Sequence, residues 1–310
     1  MRAWHPKTVL HPVSALAQSA AGLRAHRRAV LMMFCAATLW STAGVVTRHL
    51  QGAGRFEVTF WRSLFAAAFV LAALLATRGA DTWQALRASG GYGLASGAMW
   101  AVMFICFMLA LMTTTTANTL IVISIAPLFT ALLARTVLRE PVAPRTWVAI
   151  GLAIGGMLWM FGSGLSGGDP RHAAGMLIAL AVPLASATNL VTLKRAGRSV
   201  DLLPAVLLGA LISAAITLPL ALPFSAGPRD IALLALLGCF QLGLPCMLMI
   251  RASRHLSAPE IALLALLEVV LGPLWAWLGA GEVPAMATLA GGSVVIAALL
   301  LNQFAAGSRR

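Results

Sequence analysis

Two segments of the chain end in a similar short motif, and the glutamates that close the two motifs are 142 residues apart. One runs from Pro127 to Glu140 and the other from Pro273 to Glu282. Each glutamate closes one apolar stretch and precedes another. If each copy holds five membrane-crossing helices, the odd number forces the second copy to enter the bilayer upside down. Inverted repeats of this kind build two opposite ends around one central site.

The amino-acid composition of the chain is typical of a protein that lies in a lipid bilayer rather than in water. The chain is 60% hydrophobic and 10% charged, with mean hydropathy +0.90, and its apolar stretches are about as long as a spanning helix needs. We predict an all-α membrane protein of ten transmembrane helices in two inverted five-helix repeats. The predicted spans are 27–48, 56–77, 90–111, 115–137, 145–162, 173–194, 202–224, 230–250, 257–278 and 285–304.

Basic residues predict the orientation and the domain layout. With both termini in the cytoplasm, seventeen lysines and arginines lie inside and four outside. We therefore predict a cytoplasmic tail at 1–26, repeats at 27–162 and 173–304, and a cytoplasmic tail at 305–310, in a bacterial inner membrane. Because the charges sit at helix ends, the net charge of +13 indicates topology rather than nucleic-acid binding.

Catalytic and metal sites are not expected. The four cysteines fall inside predicted spans without metal-ligand spacing, so we expect no metal and no cofactor. Gly164 to Gly168 match the nucleophile pattern GxSxG around Ser166. That segment is predicted as an outer loop, and no histidine lies within a span. A solvated linker is therefore preferred to an intramembrane enzyme.

Two charged residues lie at membrane depth, where charge is costly. Glu268, near the middle of span 9, is interpreted as a substrate-amine or proton site, or as a structural partner of Arg62. Arg62, in span 2, is interpreted as a structural residue, as are Glu140 and Glu282.

Uncharged polar and aromatic residues supply further candidates for a central site. The polar ones are interpreted as cavity lining or as interhelical hydrogen-bonding groups. The aromatic ones share one face of span 3 and form either a pocket wall or ordinary packing. Together with Glu268, the substrate-binding candidates are Trp40, Ser41, Thr42, Trp100, Phe104, Phe107, Ser186, Asn189 and Gln241.

Four prolines lie inside predicted spans and are interpreted as hinges. Each removes a backbone hydrogen bond and permits a bend, although a static kink is the alternative. They are Pro127, Pro183, Pro245 and Pro273.

Several short motifs, in this order, resemble the EamA-type branch of the drug/metabolite transporter superfamily. They are Leu39-Trp40-Ser41-Thr42, Phe60-Trp61-Arg62, Ala126-Pro127 with Leu138-Arg139-Glu140, and Leu266-Leu267-Glu268 with Gly279-Ala280-Gly281-Glu282. The resemblance covers about 27 to 304. Val269 departs from it, because the family usually has proline after this glutamate.

The resemblance implies alternating inward- and outward-open states around a central cavity formed by spans 1, 3, 4, 6, 8 and 9. It also implies export of small amphiphilic metabolites, with neutral and aromatic amino acids prominent. A drug or nucleoside exporter of the same superfamily is the alternative. The expected partners are a small-molecule substrate and the lipid bilayer, with the protein a monomer or a homodimer.

Overall fold

The structure of the protein is a computed structural model that describes residues 12–137, 139, 144–165, 170–196, 203–256 and 258–307. These residues form ten long helical segments, and a short helix, Asp81–Ala88, joins the second to the third. The segments are α1 (Pro12–Ser41 and Ala43–Thr47), α2 (Arg55–Arg78), α3 (Gly90–Leu111), α4 (Thr116–Ile123 and Ala126–Val137), α5 (Pro144–Leu165), α6 (Pro170–Ala196), α7 (Leu203–Ala221), α8 (Pro228–Leu236, Leu237–Gly243 and Leu244–Ala252), α9 (Ala258–Ala280) and α10 (Met286–Gly307).

The helical segments follow the predicted spans to within a few residues, with one exception. The first helix begins at Pro12, so part of the segment predicted as an N-terminal tail is helical. Among the described residues, seven helical stretches are long and apolar enough to cross a membrane, and α5, α9 and α10 contain shorter apolar stretches. Large apolar side chains such as Leu158 and Leu278 are more than 60% exposed, as expected of a lipid-facing surface. The prediction of an all-helical membrane protein is confirmed.

The helix pairs repeat when every helix number is shifted by five. Helix α3 packs against α6, and correspondingly α8 packs against α1. The pair α1 and α9 corresponds to α6 and α4, and the pair α2 and α8 corresponds to α7 and α3. The pairs α2 with α7 and α5 with α10 map onto themselves. This pattern is the contact symmetry expected of two repeats around a shared axis.

Three helices are interrupted, two of them beside a predicted hinge. Helix α4 breaks immediately before Pro127, and a π-helical stretch in α8 precedes Pro245. Pro183 and Pro273 lie inside continuous helices. Helix α1 breaks at Thr42, where no proline occurs. The hinge assignments stay predictions, because a break shows where a helix can bend and not that it moves.

Two carboxylates brace α2 and α8 reciprocally. Glu57, in the first turn of α2, accepts hydrogen bonds from the N–H groups of Ser225 and Ala226, both at 2.9 Å. Asp230, in the first turn of α8, accepts bonds of 2.8–3.3 Å from the N–H groups of residues 51–53. Each acid therefore holds the loop that leads into the other helix. We call this pair the Glu57–Asp230 clasp.

Helices α2 and α8 also approach each other closely at Gly238. A Cβ added there would lie 2.6 Å from the carbonyl oxygen of Arg62 and 2.5 Å from the Cβ of Phe65. We expect Gly238→Ala to lower the free energy of unfolding by about 1–3 kcal/mol, because overpacking forces backbone shifts. Thermal unfolding in detergent measures the loss.

Gly151→Ala is the matched control for this substitution. A Cβ at Gly151 meets no atom within 4 Å. Alanine also favours a helix over glycine by roughly 1 kcal/mol. The control is therefore expected to melt at or above the wild-type temperature. Equal melting of the two variants would show that the α2–α8 crossing tolerates the added methyl group.

Candidate functional site

A hydrogen-bonded chain of polar groups crosses the interior of the bundle. Arg62 on α2 is 2% exposed, and its Nε and Nη2 atoms donate to Oε1 of Gln241 at 3.0 and 2.8 Å. Nε2 of Gln241 donates in turn to the carbonyl oxygen of Trp40 on α1, at 3.2 Å. Gln241 lies in the π-helical stretch of α8, and such stretches are frequent at functional sites. We call Arg62, Gln241 and Trp40 the Arg62 cluster.

The ion pair between Arg62 and Glu268, one of the alternatives for Glu268, is not formed within 4 Å among the described residues. Glu268, on α9, is half-buried and within electrostatic range of the Arg62 guanidinium. No described residue donates a hydrogen bond to its carboxylate. The Nη1 atom of Arg62 is buried and also has no partner among the described residues. A guanidinium and a carboxyl group thus lie in the interior of the bundle without direct contact between them.

The predicted aromatic residues of α3 lie beside this cluster. The ring of Phe107 lies 5.6 Å from the Arg62 guanidinium carbon, within cation–π range. Trp100 and Phe104 are buried, with ring centroids 5.5 Å apart, and belong to the same apolar core as Val182 of α6. The region around Arg62 therefore combines charged groups with an aromatic wall.

Ser41 and Thr42 occupy the break in α1. Ser41 is 1% exposed and accepts a hydrogen bond from Nε1 of Trp275 on α9, at 3.1 Å. The Ser41 hydroxyl donates to the carbonyl of Thr38, and that of Thr42 donates to the carbonyl of Leu39. Both hydroxyls therefore satisfy backbone carbonyls of α1, and that of Ser41 also connects α1 to α9.

The two candidates on α6 differ in burial. Ser186 is half-buried, whereas Asn189 is 5% exposed. The Oδ1 atom of Asn189 has no hydrogen-bond partner among the described residues. An orphaned buried acceptor is costly, so Asn189 is a polar group with spare capacity on the second repeat.

Glu282 and Arg48 connect several helices at one end of the bundle. The Nε atom of Arg48 lies 2.7 Å from Oε2 of Glu282. The other guanidinium nitrogens donate to the carbonyls of Leu111 and Thr114, at 2.8 and 2.9 Å. The Glu282 carboxylate also accepts hydrogen bonds from the backbone N–H and the hydroxyl of Thr116. We call Arg48 and Glu282 the Arg48 latch, and this end of the bundle the Arg48 end.

Further polar contacts close the same end. Thr288 on α10 donates to Oδ1 of Asn118 on α4 at 2.7 Å, and Asn118 donates to Thr114 at 3.1 Å. Thr114 in turn contacts Nδ1 of His172 on α6 at 3.2 Å. Helices from both repeats are therefore cross-linked at the Arg48 end.

A cleft of about 170 Å³ lies at the opposite end, which we call the Arg78 end. Its walls come from the ends of α2, α7 and α8 and from the turn after α8, and they carry three arginines. The lining residues are Thr77, Arg78, Leu203, Ile250, Arg251 and Arg254. Among the described residues, this end also carries a hydrogen bond of 3.2 Å from Arg195 of α6 to the carbonyl of Val137 of α4. The cleft is thus the feature that distinguishes it from the Arg48 end.

Sequence reasoning missed two parts of this arrangement. Arg48 was treated only as a topology signal, although a basic residue at the end of span 1 is a possible partner for the glutamate that closes span 9. Glu57 and Asp230 were not singled out, although each is an acid in the first turn of a helix. Glu140 and Ser166 lie outside the described residues.

Fold and site define a membrane protein of two helical repeats around a buried polar centre. The model of the EamA-like transporter family matches residues 27–162 and 173–304, so the chain belongs to the EamA-like transporter family. This match confirms the resemblance found in the sequence and makes the protein a multi-pass membrane transporter. The family's members are not enzymes, which favours the non-enzymatic interpretation.

Comparisons with individual proteins add support for the fold. A solved structure described only as "Crystal structure of protein" is 19% identical to the chain, with a TM-score of 0.64. The match covers 88% of this chain and 96% of that one. At this identity the similarity supports the fold alone. No curated protein sequence matches the chain.

Proposed function

We propose that the protein exports small amphiphilic metabolites across a bacterial inner membrane, with neutral and aromatic amino acids as the first candidates. The observation that carries this proposal is the meeting of charged and aromatic groups between the repeats. Arg62 and Gln241 supply polar contacts, Glu268 lies within electrostatic range, and Phe107 supplies an apolar face. A ligand that combines a polar head with an apolar body matches this pairing.

Transport by alternating access is the second part of the proposal. Arg62 and Gln241 are buried, so a substrate reaches them only if the helices around them separate. The cross-links at the Arg48 end and the cleft at the Arg78 end are consistent with a state closed at the former. The charge bias of the sequence supports a cytoplasmic location for the Arg78 end. Substrate would therefore enter from the cytoplasm and leave when the Arg48 latch opens.

Counterflow in proteoliposomes tests the substrate class. We expect saturable exchange of labelled phenylalanine and leucine, and little exchange of a nucleoside or a cationic dye. Leu158→Ala is the matched control variant, because Leu158 is 65% exposed on the apolar surface of α5 and should leave transport unchanged. Exchange of the nucleoside or the dye alone would contradict the amino-acid proposal and support a drug or nucleoside exporter.

A further inference from the structure

We infer that Arg62 and Glu268 are the two poles of a binding site for a zwitterion, with Arg62 holding the carboxylate and Glu268 the ammonium group. This inference rests on the proposed amino-acid substrate and assigns its head group to named atoms. It also changes the interpretation of Arg62, from a structural residue to a ligand-binding one.

The free capacity of the guanidinium is the first step. Nε and Nη2 of Arg62 both donate hydrogen bonds to a single oxygen of Gln241, whereas Nη1 is buried and has no partner among the described residues. A buried charged donor left unpaired is strongly unfavourable. A carboxylate is the group whose geometry and charge best match a free guanidinium edge. Gln241 fixes the guanidinium plane and so sets the direction of that edge.

The position of Glu268 is the second step. Glu268 lies one turn after Leu264 and Ala265 of α9, which belong to the same apolar cluster as Trp40 of the Arg62 cluster. Its carboxylate is more than 4 Å from the Arg62 guanidinium, and no described residue donates a hydrogen bond to it. The two side chains come from different repeats, on α2 and α9. In an α-amino acid, the carboxylate and the ammonium group share one carbon. Such a head group can therefore contact a guanidinium and a carboxyl group that do not touch each other.

The aromatic residue beside the cluster gives the third step. Phe107 lies over the Arg62 guanidinium and belongs to the helix that also carries Phe104 and Trp100. A ligand whose head group reaches Arg62 therefore has an apolar surface within reach for its side chain. Burial of that side chain would add affinity in proportion to the apolar area covered.

Three ligands of similar shape separate the two poles. Phenylalanine carries both charges, phenethylamine lacks the carboxylate, and 3-phenylpropionate lacks the ammonium group. Binding to the purified protein is measured by displacement of labelled phenylalanine and by thermal shift. We expect the wild type to prefer phenylalanine over each analogue by roughly ten- to a hundredfold, as for loss of a hydrogen bond to a charged group.

Single variants should each remove one preference. Arg62→Gln should abolish the preference for phenylalanine over phenethylamine, and Arg62→Lys should retain part of it. Glu268→Gln should abolish the preference over 3-phenylpropionate, and it tests the other pole even if the Arg62 variants fail to fold. Ser63→Ala is the control, because Ser63 is buried next to Arg62 and bonds instead to Ser213 at 2.8 Å.

The outcomes separate this inference from the proposed function. Folded Arg62 and Glu268 variants that weaken all three ligands in parallel overturn the two-pole site, while the amino-acid substrate stands. A wild type that binds none of the three overturns the amino-acid proposal and the site with it. Loss of one preference ratio in the Arg62 variants and of the other in the Glu268 variant supports the site, because a purely structural role would not separate the two ratios.

Discussion

Replacing Asp230 with alanine is expected to lower the free energy of unfolding by about 2–3 kcal/mol, since three backbone donors of one partly exposed loop lose their acceptor at once. Asp230 is 3% exposed, and its carboxylate receives the N–H groups of Gln51, Gly52 and Ala53. The substitution removes these hydrogen bonds directly and requires no movement of another helix or loop. Thermal unfolding in detergent should show the fall in melting temperature.

The matched controls for Asp230 come from the same chain. Asp230→Asn keeps the shape and one acceptor oxygen, so its melting temperature should fall between those of the wild type and the alanine variant. Asp81→Ala removes an exposed acid from the first turn of another helix and should have little effect. Wild-type melting of Asp230→Ala would mean that water satisfies the loop and that the Glu57–Asp230 clasp adds no stability.

Most of the helical architecture could be predicted because the bilayer fixes the length of an apolar stretch. Spans such as 90–111 end at polar or glycine-rich turns, so the local sequence determines where each helix begins and ends. The breaks in the helices are different. Helix α1 breaks at Thr42 without a proline, and the π-helical stretch around Gln241 depends on packing against α2. Such features arise from tertiary contacts, which local periodicity does not encode.

The residues of the site could be named from the sequence, but not their partners. Arg62, Gln241 and Glu268 stand out because each is polar at membrane depth. Whether Arg62 pairs with the acid or the amide depends on the rotation and depth of α8 and α9, which are set by packing. Gly238 brings α8 against the backbone of α2 and so places Gln241 on Arg62. The sequence therefore identifies candidates, and the helix crossing selects the contact.

The Arg48 latch carries the second large expected effect. If it holds the Arg48 end closed, Glu282→Gln should raise the exposure of residues beneath it to water. Thr119 is fully buried one turn below Thr116, so a Thr119→Cys reporter in a background without the four native cysteines measures this opening. We expect the labelling rate by a membrane-impermeant thiol reagent to rise about tenfold, equivalent to roughly 1.4 kcal/mol.

Vesicle orientation and two control variants test the direction and the specificity of this effect. Labelling should rise only from the side that faces the Arg48 end, which right-side-out and inverted vesicles distinguish. Arg48→Lys keeps the charge but cannot reach Glu282 and both carbonyls together, so it should give an intermediate rate. Arg55→Gln removes a charge from the same end outside the latch and should leave the rate unchanged. Equal labelling in Glu282→Gln and in the protein with the unaltered latch would show that the other contacts at this end, including the Thr288–Asn118 hydrogen bond, keep it closed without the ion pair.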